Sequence, residues 1–283
     1  MTQSYSFGLR TGEGEQHVSA RDQHTITTRD RFRLAVQVSG PPQAPALLLL
    51  PGQANSHAWW DGLRSDFEPQ FRTVTFDYRG TGGSRGELGV LSTASFAADA
   101  AEVLDQLGIA RAAVYGTSMG GRIAQMLALN FPDRVSALVL GCTTPGGPHS
   151  IKRPREVGRS LARLRGREHT QYLFSLFYTP DWTGAARCSK LLGDDTMTPQ
   201  ESAAHLRISA SHNAFDRLPE ITAATLIVHG DEDLMNPVDN AHLLHERIAN
   251  SRILICRGGR HGFFEEFAEV VNPEINGFLH DVS

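Results

Sequence analysis

The chain predicts an α/β fold: a mostly parallel central sheet with helices on both faces and an inserted helical cap. Three observations carry this expectation. Short apolar runs alternate with amphipathic helical stretches through residues 23–144 and again through 218–283, the pattern of crossover connections that build parallel sheets. One of those runs, 46–50 (Ala-Leu-Leu-Leu-Leu), is continuously apolar, the mark of a strand covered on both faces. Between the two halves, residues 145–217 show no clear strand; Pro145-Gly146-Gly147-Pro148 opens them and helical segments follow. Helices inserted at the carboxyl edge of a parallel sheet sit over that edge. The expected organisation is a polar tail over 1–22, a core made of 23–144 and 218–283, and a helical cap over 145–217.

Each element follows from its local pattern. Residues 24–28 and 33–38 alternate polar and apolar side chains, as a strand pair with one exposed face does, with Asp30 and Arg31 in the turn. Pro51 and Gly52 end the 46–50 strand. Residues 56–66 read as a helix with Trp59, Trp60 and Leu63 on one side, a helix interior in which both tryptophans are packed. A strand over 73–78 leads into the loop Arg79-Gly80-Thr81-Gly82-Gly83-Ser84. In 92–107, Phe96, Ala100, Val103, Leu104 and Leu107 recur at helical spacing. Strands follow at 112–115, 136–140, 224–228 and 253–256, with helices at 122–130, 238–248 and within 263–279. Pro237 suits the start of the 238–248 helix.

Composition narrows the function classes. The chain has 283 residues, 40% hydrophobic and 20% charged, with a net charge of -4. That is a globular composition with no basic excess to attract nucleic acid. No apolar stretch approaches the roughly 20 residues that cross a bilayer. The polar N-terminal residues lack the apolar stretch of a secretory signal. Cys142, Cys188 and Cys256 show neither metal-ligand spacing nor a disulfide framework. The expectation is a cytoplasmic protein with no metal, no organic cofactor, no nucleic acid partner and no membrane partner. The sequence is compatible with a homo-oligomer and does not fix one.

Chemistry is concentrated in Gly116-Thr117-Ser118-Met119-Gly120-Gly121. A Gly-x-Ser-x-Gly turn between a strand and a helix forms a nucleophile elbow, in which the serine stands at a strained turn and only small residues fit at 116 and 120. The helix N-terminus beneath the serine offers unpaired N–H groups to a developing oxyanion. A serine hydroxyl needs a base, and a histidine base needs a carboxylate to hold its tautomer. His261, in Gly258-Gly259-Arg260-His261-Gly262, follows the last predicted strand and so lies at the same sheet edge as the elbow. Asp231, Glu232 and Asp233, in His229-Gly230-Asp231-Glu232-Asp233, leave the carboxyl end of the preceding strand. The residues alone leave the choice among these three open.

The elbow, Asp77-Tyr78-Arg79-Gly80 with Gly82 and Ser84, the 229–233 stretch and Gly259-Arg260-His261 together resemble the α/β-hydrolase superfamily from about residue 23 to the end. Asp133-Arg134-Val135 after the elbow helix is similar too. Within the superfamily the chain is similar to the 3-oxoadipate enol-lactonase and non-haem haloperoxidase/esterase group. The resemblance implies the α/β-hydrolase fold and a Ser118–His261–Asp233 triad, because in such proteins the acid stands three residues after the late-strand glycine. A minority place it after the preceding sheet strand; here that stretch is Gly141-Cys142-Thr143-Thr144, with no carboxylate. The implied oxyanion hole is the backbone N–H of Gln53 and Met119. Many relatives carry His-Gly where this chain has Pro51-Gly52.

The implied activity is a serine hydrolase acting on a small-molecule acyl substrate such as an ester or lactone. Hydrolysis of carbon–carbon bonds or thioesters, tailoring chemistry of secondary metabolism, and a non-enzymatic ligand receptor are alternatives on the same fold. Dehalogenase and epoxide hydrolase activities are disfavoured, since relatives with them use aspartate where Ser118 stands. Within the cap, Phe174, Phe177, Tyr178 and Trp182 are candidates for an apolar substrate pocket or equally for the cap's own core. Met119 is expected against the acyl group, and Gln53 and Asn55 are either pocket side chains or ordinary loop residues. The basic run Lys152, Arg153, Arg155, Arg159, Arg163, Arg165 and Arg167 reads first as a solvated face. One or two of its arginines turned inward would hold a substrate carboxylate.

Overall fold

The computed structural model describes residues 21–184 and 190–282. The proposed tail therefore lies outside the described residues except at its end, where Asp22 already begins a strand; Cys188 lies outside them too. The strands are β1 (Asp22–Thr27), β2 (Arg33–Ser39), β3 (Ala46–Leu50), β4 (Arg72–Phe76), β5 (Ala112–Thr117), β6 (Val135–Gly141), β7 (Ala224–Gly230) and β8 (Ser251–Cys256). They form one eight-stranded sheet in the order β1-β2-β4-β3-β5-β6-β7-β8. β2 is antiparallel to β1 and to β4, and every pairing from β4 to β8 is parallel. The chain runs outward from β3 to β4, then crosses to the other side of β3 for β5. The loops that leave β3 and β5 thus diverge at a topological switch point, the crevice where open parallel sheets bind ligands.

Two cores flank the sheet. Leu48 and Leu50 of β3 face a cluster with α1 (Thr93–Gln106), α2 (Met119–Asn130) and α6 (Asp239–Arg247), while Leu47 and Leu49 face the other cluster. That alternation explains why β3 is apolar at every position: both faces are dry. The second cluster contains Trp59, Trp60 and Phe67 with α7 (Phe263–Glu266) and α8 (Ala268–Val282). α3 (Arg155–Arg163), α4 (Gly166–Phe177) and α5 (Pro199–Ser211) lie between β6 and β7 in the chain. No strand occurs there among the described residues; Gly146 and Asn213 make only an isolated bridge.

Two expected helices differ. Residues 56–66 form two 3-10 turns, His57–Trp60 and Arg64–Asp66, rather than one α-helix. Gly62 weakens the run, and the backbone closes by short-range bonds such as Asp61 N–H to Ala58 O and Leu63 N–H to Trp60 O. The final helix breaks at Phe267, whose φ of -109° and ψ of 28° separate α7 from α8.

Polar side chains lock the loops that frame the crevice. Asp77 accepts the N–H groups of His57 and Gly83, each at 2.7 Å. Tyr78 donates its hydroxyl to Pro51 O at 3.1 Å while its ring stacks on Phe96 at 5.0 Å. Arg79 bridges Asp99 (2.7 Å) and Asp30. The Asp-Tyr-Arg-Gly stretch is therefore a fastening for the loop after β3. Beneath it, Arg64 is 1% exposed and donates to Thr73 Oγ1 (2.7 Å), Thr73 O (2.9 Å), Gln37 Oε1 and Gln37 O (both 3.2 Å), with Glu68 at 3.3 Å. Burial pulls its guanidinium down to about 10, still charged at neutral pH. Removing one partner of such a buried set strands the others. Arg64→Ala is expected to cost about 3–5 kcal/mol in urea unfolding; a loss below about 1 kcal/mol would show that the network contributes little.

Candidate active site

Ser118 joins β5 to α2 with φ 53° and ψ -116°, a conformation that costs a non-glycine residue on the order of 1–3 kcal/mol. The packing around it leaves no alternative. A Cβ on Gly116 would fall 2.3 Å from Gly120 O, one on Gly120 2.1 Å from Leu50 O, and one on Gly121 2.6 Å from Thr143 Cβ. The three glycines let α2 start against β3, β5 and the loop after β6. The turn is then pinned by Ser118 N–H to Gly141 O (2.9 Å) and by Thr143 Oγ1 to Ser118 O (2.7 Å).

His261 Nε2 lies 3.1 Å from Ser118 Oγ, and His261 Nδ1 lies 2.7 Å from Asp233 Oδ2. The structure thus joins Ser118, His261 and Asp233 in one hydrogen-bonded series. His261 and Asp233 are buried, and Ser118 is half-buried. α4 holds the histidine loop: Leu176 O accepts His261 N–H (3.2 Å) and Phe177 O accepts Gly262 N–H (2.8 Å). The Phe177 ring meets the His261 ring edge-on at 5.0 Å. Asp231 and Glu232 are turned elsewhere. Asp231 caps Gly258 N–H at 2.7 Å, and Glu232 lies 3.6 Å from Arg260.

Asp233 is saturated with donors. Its Oδ1 accepts the N–H groups of Met235 (2.8 Å) and Asn236 (2.9 Å), and its Oδ2 lies 3.3 Å from His229 Nε2 as well as beside His261. Burial alone would raise its carboxyl. The charge of His261 and the hydrogen bonds from His229 and His261 outweigh that and hold it well below the ordinary 3.8. His229 Nε2 is 2.7 Å from Asn236 O, so that nitrogen carries the proton. The loop that presents Asp233 is itself tied across the sheet by Asn236 Nδ2 to Cys142 O at 2.7 Å.

The loop after β3 is anchored despite Pro51. Besides the Tyr78 bond, Gln53 O accepts Asn55 Nδ2 (2.9 Å), Ala54 O accepts Asp194 N–H (2.8 Å), and Ala54 N–H reaches His205 Nδ1 (3.3 Å). His205, on α5, donates from Nε2 to Arg79 O at 2.9 Å, and burial pulls its imidazole down. Met119 is the first residue of α2, where an N–H has no partner within the helix. Gln53 lines the cavity above it.

That cavity has a volume of about 470 Å³, and Ser118 and His261 form part of its wall. Of the candidate aromatics in segment 145–217, Phe177 lines it; Phe174, Tyr178 and Trp182 do not. Those three stack on one another, Tyr178 on Trp182 at 3.9 Å and on Phe174 at 4.8 Å, and Tyr178 bonds to Glu265. They are core for this segment rather than pocket wall. The Met119 side chain, 1% exposed, is packed in the main core instead of against the cavity. Trp59, expected inside a helix, lines the cavity with Gln53 and Asn55, and its Nε1 donates to Thr117 Oγ1 at 2.9 Å.

Several wall residues escape sequence reasoning. Arg122 stands one helical turn after Ser118 on α2, so its facing was available from the 3.6-residue period. Asn236 on the wall and His205 behind it gave no local signal, because their partners Cys142, Arg79 and Ala54 come from distant loops, whereas His229 supports Asp233 from within the same loop. Among the described residues, no group of acidic, histidine or cysteine side chains is arranged to hold a metal. None of their helices is long and apolar enough to cross a membrane.

The depressed Asp233 carboxyl makes a pH prediction. Its contribution to stability is fully present above the ordinary value of 3.8 and is lost as pH falls toward the lower folded value. The destabilisation caused by Asp233→Asn, measured by urea unfolding, should therefore be at its fullest near about pH 5 and shrink progressively toward about pH 2.5. A penalty that does not change over that lower range would mean that the carboxyl is not held down.

Comparisons with known proteins agree with this architecture. The family model for the alpha/beta hydrolase fold matches residues 45–161. A RutD protein of Caulobacter vibrioides, provisionally named a carbamate hydrolase, is 33% identical over 270 residues, covering 90% of this chain and 97% of that one. A solved hydrolase from Pseudomonas aeruginosa PA01 superposes with a TM-score of 0.78 at 24% identity, over 91% of this chain and 98% of that chain. The enol-lactonase from Burkholderia xenovorans LB400 superposes with a TM-score of 0.77 at 21% identity, over 91% and 100%. At those identities the two structures speak for the fold alone. With its elbow, its sheet order and a full-length relative at this identity, the chain belongs to the α/β-hydrolase fold family.

Proposed function

We propose that this protein is a serine hydrolase that cleaves a small ester, lactone or related acyl compound through an acyl-enzyme on Ser118. The observation that carries the proposal is the continuous series Ser118 Oγ, His261, Asp233, which reaches the cavity wall at Ser118 and His261, with separations of 3.1 and 2.7 Å. Those distances allow direct proton transfer and fix the tautomer. Asp233 stays ionised and accepts from His261 Nδ1, which leaves Nε2 as the base. As Ser118 Oγ attacks the carbonyl, His261 Nε2 takes its proton. The tetrahedral oxyanion is received by the N–H groups of Gln53 and Met119. His261 returns the proton to the leaving oxygen as the acyl–oxygen bond breaks. Water, deprotonated by the same nitrogen, then attacks the acyl-enzyme, and Ser118 regains its proton as the acid leaves. These steps call for no cofactor.

Segment 145–217 is the cap in this reading: α3, α4 and α5 supply the cavity wall opposite Ser118, and α4 also fixes the histidine loop. A carbamate, the compound named for the RutD relative, is an acyl compound open to the same steps and belongs in the assay set.

Stopped-flow hydrolysis of short-chain p-nitrophenyl esters tests the proposal. The wild type is expected to show a burst and then steady turnover. Ser118→Ala and His261→Ala are expected to lower turnover roughly a million-fold and Asp233→Asn about ten-thousand-fold, as losses from comparable triads do, with the fold intact by circular dichroism. Full activity in Ser118→Ala would overturn the proposal. A burst without turnover would point to a ligand-holding role in place of catalysis.

A further inference from the structure

Beside the catalytic-serine cavity lies a second one of about 320 Å³, and the two share Gln53, Arg122, Arg153, Leu206, Ser209, Met235 and Asn236 in their walls. The charge on those walls is of one sign. Arg122 and Arg153 line both cavities and Lys152 lines the second, while no aspartate or glutamate is among the described residues lining either.

Among the described residues neither arginine makes an ion pair. Arg122 Nη1 donates to Ser209 O (2.5 Å) and Ser209 Oγ (2.8 Å), and Nη2 reaches Asn236 Oδ1 at 3.4 Å. All are neutral acceptors, and Arg122 Nε is buried with no partner. Arg153, half-buried, makes no ion pair among the described residues. Burial, and then the nearby charge of Arg153, bring the Arg122 guanidinium down to about 10; burial also lowers Arg153. Both remain cations at neutral pH, kept close together in a partly dry site. The other buried arginines among the described residues are met by carboxylates, Arg79 by Asp99 and Arg64 by Glu68. The charge of Asp233 reaches Arg153, but that carboxylate is already engaged by His261 and His229. A partly buried pair of cations compensated only at this remove is costly unless a further anion completes it.

We propose that Arg122 and Arg153 form an anion subsite that holds a carboxylate carried on the acyl half of the substrate, the carboxylate entering the second cavity while the scissile carbonyl lies at Ser118. Its catalytic meaning rests on the proposed acyl transfer. Arg122 lies four residues after Ser118, the residue that caps the N-terminus of α2, and both line the first cavity. At about 1.5 Å per residue their backbones are roughly 6 Å apart along the helix axis, so a carboxylate a few bonds from the carbonyl spans the two groups. The substrate class is the monoester of a short dicarboxylic acid, or the lactone of one that also carries a hydroxyl.

Monomethyl glutarate and its uncharged isostere methyl glutaramate are the probes, with methanol release followed for the wild type, Arg153→Gln and Arg122→Gln. The wild type is expected to prefer the anion by about 10- to 100-fold in kcat/KM, the value of a charge-assisted hydrogen bond. Each substitution is expected to lower that ratio at least about tenfold, mainly through KM; Arg153→Gln guards against Arg122→Gln failing to fold. Equal kcat/KM for the two probes in the wild type, or a ratio unchanged in both variants, would overturn the subsite. Calorimetric binding of monomethyl glutarate to Ser118→Ala separates the two readings. Binding that is lost when Arg153→Gln is added, with no ester turned over by the wild type, would keep the subsite and remove the hydrolase. Turnover of both probes with no preference, and no binding to Ser118→Ala, would do the reverse.

Discussion

The site depends on one close approach: the N-terminus of α2 packs directly on the carbonyl end of β3. Leu50 O lies 2.1 Å from where a Gly120 side chain would begin, and Gly120 O lies 2.3 Å from a Gly116 side chain. Backbone against backbone at this range forces the residue between strand and helix into the left-handed region, and Ser118 occupies it with φ 53°. The strain lifts Oγ away from the main chain and toward the crevice where strand order reverses. Every other group of the site is placed relative to that oxygen.

Three loops have to meet it, and each is tied by contacts that cross the sheet or reach into the inserted helices. The 51–55 loop is held by Tyr78, Asp194 and His205; the Asp233 loop by Cys142 O; the His261 loop by the C-terminal end of α4. The inserted segment therefore shapes more than the entrance to the cavity. Its helix α4 fixes the backbone of His261 and sets Phe177 against the imidazole ring, and its helix α5 carries His205 and Ser209. Changes in that segment will reach both pocket shape and the alignment of the proposed base.

Much of this was legible from the residues. The doubly apolar β3, the glycines around Ser118 and the position of His261 after the last strand predicted the sheet, the elbow, the serine and the histidine, while the choice of Asp233 among three neighbouring carboxylates came from the family resemblance. What escaped prediction depends on distance in sequence. The 56–66 run has helical periodicity, but its structure is settled by burying Trp59 against Thr117 and Phe264 and Trp60 against Tyr115. The aromatic set in segment 145–217 is apolar in either role, and only packing shows that Phe177 faces the cavity while Phe174, Tyr178 and Trp182 face one another. In the basic run, Arg153 faces inward, yet its companion comes from the elbow helix, where no charge pattern drew notice to Arg122.

The proposed chemistry requires Ser118 Oγ to carry the acyl group, and the direct measurement is chemical. The protein is mixed with a p-nitrophenyl ester, quenched in acid within milliseconds, digested and mapped by mass spectrometry. The acyl mass should sit on the peptide containing Ser118, should appear at the rate of p-nitrophenol release, and should be absent from His261→Ala. An acyl group on another residue, or p-nitrophenol release at that rate with no acylated peptide, would contradict it.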